Sequence, residues 1–280
     1  KLFLETDSIS YNEYRRYEKI FDPRVVCNGT QLLRGVRSIK TIYEIGRIMR
    51  SGVLHARLYE RIPSLYRPGM TDTELSIEIE RESRRLGSLG IFRIFGQSME
   101  IFMGSLLAGD NADAPSPYDF ALGGAGLDAS LPVGGNGTPL TDGTSVMVDM
   151  GGNFTGYMTD MTRVFSVGKL TDRAYRAHDT ALEIQRRIEQ AAAPGVPAAD
   201  LYNLAVRIAA DAGLSDYFMG HRQQAGFIGH GIGIEINEAP VLAPRSKEAL
   251  VPGMVFRART EVRHSVGRSR RHRKQFSGNR

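Results

Sequence analysis

The hydrophobic and polar positions of the chain follow a helical period in two separate regions. In the first region, helical spacing extends from residue 39 to about residue 65 and ends at Arg67-Pro68-Gly69. A second helix is predicted to start after Thr71, which can act as its N-cap with Glu74 at the capping-box position, and to end at Gly87. Residues 90–143 are rich in Gly, Pro and Asp, which predicts loops and short strands with a functional role.

The second helical region repeats the organisation of the first. Helices are predicted at residues 171–193 and 198–212, and the later one carries an apolar stripe at helical spacing. Pro68-Gly69 aligns with Pro194-Gly195 when one half of the sequence is shifted onto the other. The same shift, without gaps, also aligns the Leu, Arg and Gly positions that follow each turn. We therefore expect an α+β domain of two related halves, with helices on the outer face of a sheet and ligands bound between the halves.

Between these regions, residues 146–165 are predicted to form a β-hairpin. Residues of high β-propensity flank the turn signal Gly151-Gly152-Asn153. With the turn at residues 153–156, Asp149 falls directly opposite Asp160, and both carboxylates share one face. Their Cβ atoms would lie roughly 4.5–5.5 Å apart and the charges would repel, unless a divalent cation binds between them. The segment alone fits equally well a solvated hairpin whose Asp side chains face water.

A histidine in a glycine-rich run is the second candidate feature. His230 lies between Gly229 and Gly231, which let other backbone segments approach closely and leave the imidazole unobstructed. Histidine is also the commonest nitrogen ligand of metals. The remaining histidines are expected to be structural or exposed: His55, His178, His221, His264 and His272. His230 is therefore the candidate partner of the paired aspartates.

Composition indicates an ordinary globular protein. The chain has 280 residues, of which 41% are hydrophobic and 24% charged. No apolar run approaches the roughly 18 residues of a membrane span, and no leader-like segment comes first, so we expect a cytoplasmic protein without a membrane partner. The single cysteine, Cys27, excludes an intrachain disulfide, fits a reducing compartment and is expected to pack as a small apolar residue.

The net charge of +5 belongs to the end of the chain. Residues 257–280 contain nine Lys or Arg and one Glu, which leaves 27 basic and 30 acidic groups in the first 256 residues. A tail of this kind can bind nucleic acid through counterion release, but charge runs of this length are more often merely solvated or disordered. Nucleic acid is therefore not an expected partner.

Several motifs in a fixed order resemble the "pita-bread" metallopeptidases, the group of methionine aminopeptidase, prolidase, aminopeptidase P and creatinase. The motifs are Val148-Asp149-Met150-Gly151-Gly152 with Gly156-Tyr157, Thr159-Asp160-Met161-Thr162-Arg163, Gly229-His230-Gly231-Ile232-Gly233 and Pro252-Gly253-Met254-Val255-Phe256. The resemblance implies the α+β pita-bread fold, two pseudo-symmetric halves around a sheet, with residues 31–256 as the catalytic domain.

The first residues resemble the end of the smaller N-terminal domain that precedes the catalytic domain in the prolidase and creatinase branch. Residues 1–30 are therefore expected to be a remnant of that domain and its linker. The missing initial Met is consistent with a piece of a longer chain. This resemblance favours the prolidase and creatinase branch over methionine aminopeptidase.

The resemblance implies a centre of two divalent ions, Mn, Co, Fe or Zn, with five protein ligands. Asp149 and Asp160 match the family's two aspartates, one chelating a single metal and the next bridging both, and His230 matches its histidine. A metal-bridging hydroxide would then attack the scissile carbonyl of a short peptide. A homodimer is also implied. Prolidase-like members often carry His where this chain has Asn237, so proton transfer or substrate binding is expected to differ there.

Two glutamate ligands that the family places after the motif ending in Phe256 are absent. The chain reads Arg257-Ala258-Arg259-Thr260, where the family has a Glu-Pro and, later, a Gly-Ile-Glu-Asn-like segment. Removing the first base of codon 257 allows the reading Ala-Leu-Glu-Pro-Lys-Phe-Val, and the same shift turns residues 271–275 into Gly-Ile-Glu-Asn-Ser. We hypothesise that residues 257–280 are an out-of-frame translation, caused by a sequencing error or a frameshift.

The sequence predicts a metal-dependent exopeptidase of the Xaa-Pro dipeptidase or aminopeptidase type whose activity is impaired. The chain retains three of five ligands and would place the cation Arg259 where a carboxylate belongs, so one weak metal site or none is expected; Glu261 is not expected to substitute. Two alternatives stay open. One is a creatinase-like C–N hydrolase, which needs less of the metal set, and the other is a non-catalytic binding module of the same fold.

Overall fold

The structure is a computed structural model that describes residues 1–90, 93, 103–115 and 123–258, and the backbone of 275–276. Its helices are α1 (Tyr11–Phe21), α2 (Thr30–Ser38), α3 (Ile42–Leu65), α4 (Asp72–Arg85), α5 (Asp172–Ala191) and α6 (Ala198–Asp211). Its strands are β1 (Leu2–Leu4), β2 (Val26–Asn28), β3 (Gly104–Ala108), β4 (Thr144–Asn153), β5 (Met158–Val167), β6 (Gly229–Gly231), β7 (Glu238–Leu242), β8 (Phe256–Ala258) and β9 (Gln275–Phe276).

Helices α3 and α4 each begin after a threonine whose side chain caps the helix. Thr41 and Thr71 each accept a hydrogen bond from the backbone N–H three residues later, while Glu44 and Glu74 reach back to the cap N–H. The prediction for α4 is thereby confirmed. Helix α3 starts three residues later than predicted because Ile39 is extended, at φ −102° and ψ 108°, and Thr41 is the cap.

The repeat predicted from the sequence is present in three dimensions. Helices α4 and α6 have the same length and each follows a turn with a left-handed glycine, Gly69 at φ 89° and Gly195 at φ 91°. The first residue of α4 donates its N–H to the Thr138 carbonyl, and the first residue of α6 donates to the Glu248 carbonyl, both at 2.9 Å. Each half thus fixes its second helix against an equivalent extended segment.

Each half also has its own sheet and its own core. In the described part, the first sheet has the order β3-β4-β5-β9 and the second has the order β7-β6-β8. One apolar cluster joins α3 and α4 to β3, β4 and β5, and another joins α5 and α6 to β7 and β8. The predicted α+β organisation with helices packed on the sheets is confirmed.

The N-terminal residues form a small unit of their own. Strands β1 and β2 pair in parallel, with α1 connecting them. Cys27 lies in β2 as a free, half-buried thiol. Helix α2, which the sequence did not predict, then follows, and its apolar residues Leu32, Leu33 and Val36 are exposed. The assignment of residues 1–30 to a preceding domain stays a prediction.

The hairpin of β4 and β5 forms, but its register differs from the predicted one. Asp149 lies opposite Thr162, and Asp160 lies opposite Gly151, so the prediction that the two aspartates oppose each other directly is wrong. Asn153 remains in β4, and its side chain accepts the Gly156 N–H at 3.0 Å, which moves the turn to residues 154–157. Because side chains alternate with a period of two, this two-residue shift keeps both aspartates on one face.

The loop-rich segment between α4 and β4 lies partly outside the described residues, namely at 91–92, 94–102 and 116–122. Its described remainder contains β3 and a short 3₁₀ helix, Gly109–Asp113, as expected of loops with short strands. Of the helices in the described part of the chain, none is long and apolar enough to cross a membrane.

Candidate active site

Asp149 and Asp160 lie on the face of the β4–β5 hairpin that is hidden from water. The side chain of Asp149 is 3% exposed and that of Asp160 is 8% exposed. Thr162, directly across from Asp149, donates its hydroxyl to Asp149 Oδ1 in a short hydrogen bond. Buried carboxylates need partners of this kind. The alternative of a solvated hairpin with its aspartates in water is therefore wrong.

The second half of the molecule delivers His230 to the same place. His230 lies in β6, between β7 and β8, and its Nε2 is 3.2 Å from Asp160 Oδ2. Its Nδ1 is 3.1 Å from the Gly231 carbonyl oxygen, so the ring is held from both sides. The structure thus brings together all three side chains that the sequence proposed as ligands, at the boundary between the two halves.

The glycines beside His230 are required by the approach of the neighbouring strands. A Cβ on Gly229 would lie 2.4 Å from the Arg257 carbonyl oxygen, and a Cβ on Gly231 would lie 2.1 Å from the Ala239 carbonyl oxygen. Both distances are far below contact distance. The close backbone approach expected from the glycine pattern is confirmed, and it leaves the imidazole as the only side chain in that strand.

A fourth side chain, Arg257, enters the cluster. It lies opposite His230 on β8 and therefore shares its face. Its Nη1 is 3.0 Å from Asp160 Oδ2 and its Nη2 is 3.5 Å from Asp149 Oδ1; Nη2 also donates to the Thr162 hydroxyl. The sequence analysis placed Arg259 as the intruding cation. Arg259 lies outside the described residues, whereas Arg257, two positions earlier in the sequence, reaches the aspartates.

These residues do not fit the dinuclear metal centre that the resemblance implies. Asp149, Asp160 and His230 are together, but the guanidinium of Arg257 contacts both carboxylates. Within the described ranges, no group of three or more His, Cys, Asp or Glu side chains is arranged to hold a metal ion. A divalent ion bound beside the guanidinium would be repelled by the positive charge of Arg257. It would also need carboxylate oxygens that already contact Arg257.

Helix α3 contacts the β4–β5 hairpin through the side chain of Tyr59. The buried Tyr59 hydroxyl is 3.1 Å from the Val148 carbonyl oxygen and also contacts that of Met161, so one side chain ties β4 to β5. Burial, reinforced by the charges of Asp149 and Asp160, raises the pKa of Tyr59. The hydroxyl therefore remains a hydrogen-bond donor to these carbonyl groups.

The other histidines have structural or surface positions where the structure describes them. His55 is fully buried, with Nδ1 3.0 Å from the Thr159 hydroxyl, and burial lowers the pKa of His55 to about 4. His221 is exposed and pairs with Asp113. His178 lies half-buried in α5. The prediction for these three is confirmed, and the remaining two, His264 and His272, lie outside the described residues.

A buried ion cluster fixes the loop that follows His230. The Glu238 carboxylate accepts Lys40 Nζ at 2.9 Å and Arg37 Nη2 at 2.6 Å, and also the backbone N–H groups of Ile234 and Glu235. Burial raises the pKa of Glu238, but the hydrogen bonds from Lys40 and Arg37 lower that pKa below its ordinary value. The carboxylate is thus held ionised in the interior.

The basic residues of this cluster come from α2 and the segment after it, which sequence reasoning missed. Arg34 adds a hydrogen bond from Nη2 to the Asn237 carbonyl oxygen at 3.0 Å. The spacing of Arg34, Arg37 and Lys40 was a possible signal, since positions three apart share a helix face. Asn237, where prolidase-like sequences often carry His, is held in this loop by its backbone.

Comparison with known proteins assigns this chain to a family. The family model for Metallopeptidase family M24 matches residues 46–271, so the chain belongs to that family. It is 29% identical over 229 residues to a probable dipeptidase PepE of Mycobacterium bovis, covering 81% of this chain and 52% of the relative. This places the chain, as the motif order implied, in the pita-bread metallopeptidases.

Solved structures agree. The X-Pro aminopeptidase from Thermotoga maritima MSB8 superposes with a TM-score of 0.76 at 22% identity, covering 94% of this chain and 66% of that one. The Xaa-Pro dipeptidase from Bacillus anthracis gives a TM-score of 0.75 at 25% identity, covering 95% and 66%. The pita-bread fold is therefore confirmed. The chain spans about half the length of the PepE relative.

Proposed function

We propose that this chain is the catalytic part of a peptidase that cleaves short peptides, of the Xaa-Pro dipeptidase or aminopeptidase type. The observation that carries the proposal is the convergence of Asp149, Asp160 and His230, from two separate halves of an M24 fold, in one buried cluster. The names of the similar proteins, a probable dipeptidase, an X-Pro aminopeptidase and an Xaa-Pro dipeptidase, support this substrate class.

The proposal includes an impaired site in this chain. The metal-bridging hydroxide implied as nucleophile needs the full set of ligands, and two of the five ligands, both glutamates, are missing from the sequence after Phe256. The contacts of Arg257 with both aspartates support the same conclusion, because they occupy oxygens that a metal would need. We infer that the chain with its present tail hydrolyses Xaa-Pro dipeptides weakly or not at all.

The test restores the missing glutamates. One variant carries Arg257→Ala, Ala258→Leu, Arg259→Glu and Thr260→Pro together with Arg273→Glu, the changes that the shifted frame specifies. With Mn²⁺ or Co²⁺ added, we expect this variant to release proline from an Xaa-Pro dipeptide at least tenfold faster than the unchanged chain. The same variant with Asp160→Asn is the control and should be inactive.

Two results would contradict the proposal. If the restored variant binds metal and remains inactive on Xaa-Pro dipeptides, the substrate class is wrong. Hydrolysis of creatine instead would indicate the creatinase-like alternative. The nucleotide sequence across codon 257 tests the frameshift separately, and an in-frame Arg-rich end confirmed there would reject it.

A second candidate function is a binding module without catalysis. The observation that favours it is again Arg257, whose guanidinium compensates the buried carboxylates without any metal. In that case the basic tail is the candidate contact for nucleic acid, and binding should weaken as salt rises. Neutralising Arg268, Arg270 and Arg271 to Gln should then remove the binding, whereas unchanged binding would reject this candidate.

We also propose, on the resemblance alone, that the protein acts in the cytoplasm as a homodimer. Sedimentation analysis of the purified chain gives its oligomeric state. A monomer across micromolar concentrations would reject the dimer.

A further inference from the structure

We propose that Arg257 is an internal cation that takes the place of a divalent ion between Asp149 and Asp160, so that the site of this chain excludes metal. The inference rests on the site defined under the proposed function, but not on peptidase activity. Its test therefore measures metal binding and thermal stability, which report on the site even if the substrate class is wrong.

The first argument is position. Arg257 lies on the strand next to His230 and directly across from it, so its side chain is directed to the same face as the imidazole. Its two terminal nitrogens separate to reach different partners, Nη1 to Asp160 and Nη2 to Asp149 and Thr162. A planar guanidinium with donors in a fixed fork suits such a pair of oxygen acceptors.

The second argument is charge. Asp149 and Asp160 bring two negative charges into a space where their side chains are almost fully hidden from water. Two buried carboxylates on one face repel each other unless a cation lies between them. Arg257 is only 11% exposed and is the cation that contacts both of them in the described part of the chain. Its removal would take away a positive charge that contacts both carboxylates.

The third argument is competition. The guanidinium engages Asp160 Oδ2, the same oxygen that faces His230 Nε2, and this oxygen would have to be shared with a metal bound by all three side chains. Arginine side chains carry a permanent positive charge in proteins. A divalent ion and this side chain therefore exclude each other, and metal can bind only where Arg257 is displaced.

The experiment compares Mn²⁺ binding by the full chain and by Arg257→Ala, using calorimetric titration and the Mn²⁺ electron paramagnetic resonance signal. We expect no saturable site in the unchanged chain below 1 mM, and one site per chain in the variant, bound at least tenfold more tightly. Mn²⁺ should also raise the melting temperature of Arg257→Ala, and it should leave the melting temperature of the unchanged chain as it is. Arg257→Lys, which retains the charge, should behave as the unchanged chain does.

Two controls separate the site from general electrostatics. Arg163→Ala removes an exposed arginine of β5 that donates to the Thr162 carbonyl, and it should leave Mn²⁺ binding unchanged. The double variant Arg257→Ala with Asp160→Asn should lose the site that Arg257→Ala gains. If Arg163→Ala creates the same site, charge near the hairpin and not the position of Arg257 is responsible.

The inference is overturned if the unchanged chain binds Mn²⁺ as tightly as Arg257→Ala, or if the folded variant binds none. Should Arg257→Ala unfold, Mn²⁺ must restore its circular dichroism spectrum, because the metal would supply the missing positive charge. An Arg257→Ala chain that stays unfolded with and without Mn²⁺ also overturns it. Arg257→Gln, which is neutral but can donate a hydrogen bond to Asp160, must give the same result as Arg257→Ala in each assay.

Discussion

Two buried clusters bring together charged side chains that are hidden from water. One contains Asp149, Asp160 and Arg257, and the other contains Lys40 and Glu238. In both, water is excluded and each charge depends on its partners in the protein. Substitutions there should therefore cost far more stability than substitutions in the exposed ion pairs on the helices.

Glu238→Gln should lower the free energy of unfolding by about 3–5 kcal/mol. The change leaves the buried Lys40 ammonium without its carboxylate, and breaking a buried pair by removing one partner has a cost of this order. Urea denaturation measures the loss. Glu183→Gln, which removes an exposed carboxylate paired with Arg186 on α5, is the matched control and should have little effect on the free energy of unfolding. Equal losses in Glu238→Gln and Glu183→Gln would contradict the assignment of Lys40 and Glu238 as a buried ion pair.

The stability of the protein should fall as the pH drops from 6.5 towards 4 because of His55. Burial is the main cause that lowers its pKa from 6.5 to about 4; Asp160 raises that pKa, while Arg257 and Arg163 lower it. Between these values the unfolded chain binds a proton that the folded chain does not, so stability decreases with decreasing pH, by roughly 3 kcal/mol in total.

Urea denaturation at pH 7, 5.5 and 4 measures this dependence. His55→Gln, which retains a polar partner for Thr159 but does not titrate, should lose this part of the slope. His221→Gln, a change at an exposed histidine, should retain it. A His55→Gln protein with the full slope would mean that other groups cause the pH dependence.

The strands and helices show how far local sequence determines this structure. The cap at Thr71 and the turns at Gly69 and Gly195 depend on residues close in sequence, and the sequence predicted them, whereas the cap at Thr41 was not predicted. The register of the β4–β5 hairpin was missed by two residues because Asn153 remains in β4 and its side chain accepts the Gly156 N–H, so that the turn lies one residue later than predicted.

Helix α2 was missed for a different reason. Its polar face bonds to Glu235, Asn237 and Glu238, which lie far away along the chain. Asp149, Asp160 and His230 were identified because their motifs are local, whereas the entry of Arg257 depends on the register of β8 against β6. Contacts between distant strands do not follow from the periodicity of either strand.

At β6, Gly231→Ala should destabilise the protein by about 1–3 kcal/mol, because the new Cβ would lie 2.1 Å from the Ala239 carbonyl oxygen and would push β7 away. Gly226→Ala, just before the strand, meets nothing within 4 Å and is the matched control. Thermal melts of the two variants measure the difference. If Gly231→Ala does not lower the stability, β6 and β7 approach each other less closely than described.

The molecule as a whole consists of two similar halves with separate apolar cores and one polar site between them. The cores share no buried residue, whereas the ion pairs of the site cross from β5 to β6 and β8. Stability should therefore reside mainly in the halves, and the charge arrangement at their boundary should determine chemistry. This division predicts how equivalent core substitutions behave.

Leu75→Ala and Leu201→Ala should each cost about 2–5 kcal/mol. The two leucines occupy matching places in α4 and α6 and are fully buried, each in the core of its own half. Because the cores are separate, the losses should add in the double variant. Leu182→Ala on α5, at 44% exposure, is the control with a small loss. A double variant no worse than either single one would contradict the separation of the cores.

Strand β9 has a consequence for experiments on the basic tail. Gln275 and Phe276 pair with Ser166 and Val167 along the outer side of β5, opposite the side that pairs with β4. A chain shortened to residue 258 would uncover these backbone groups, and an uncovered strand edge is a template for pairing with another molecule. Truncation would thus promote self-association as well as remove charge, and neutralising substitutions separate these two effects.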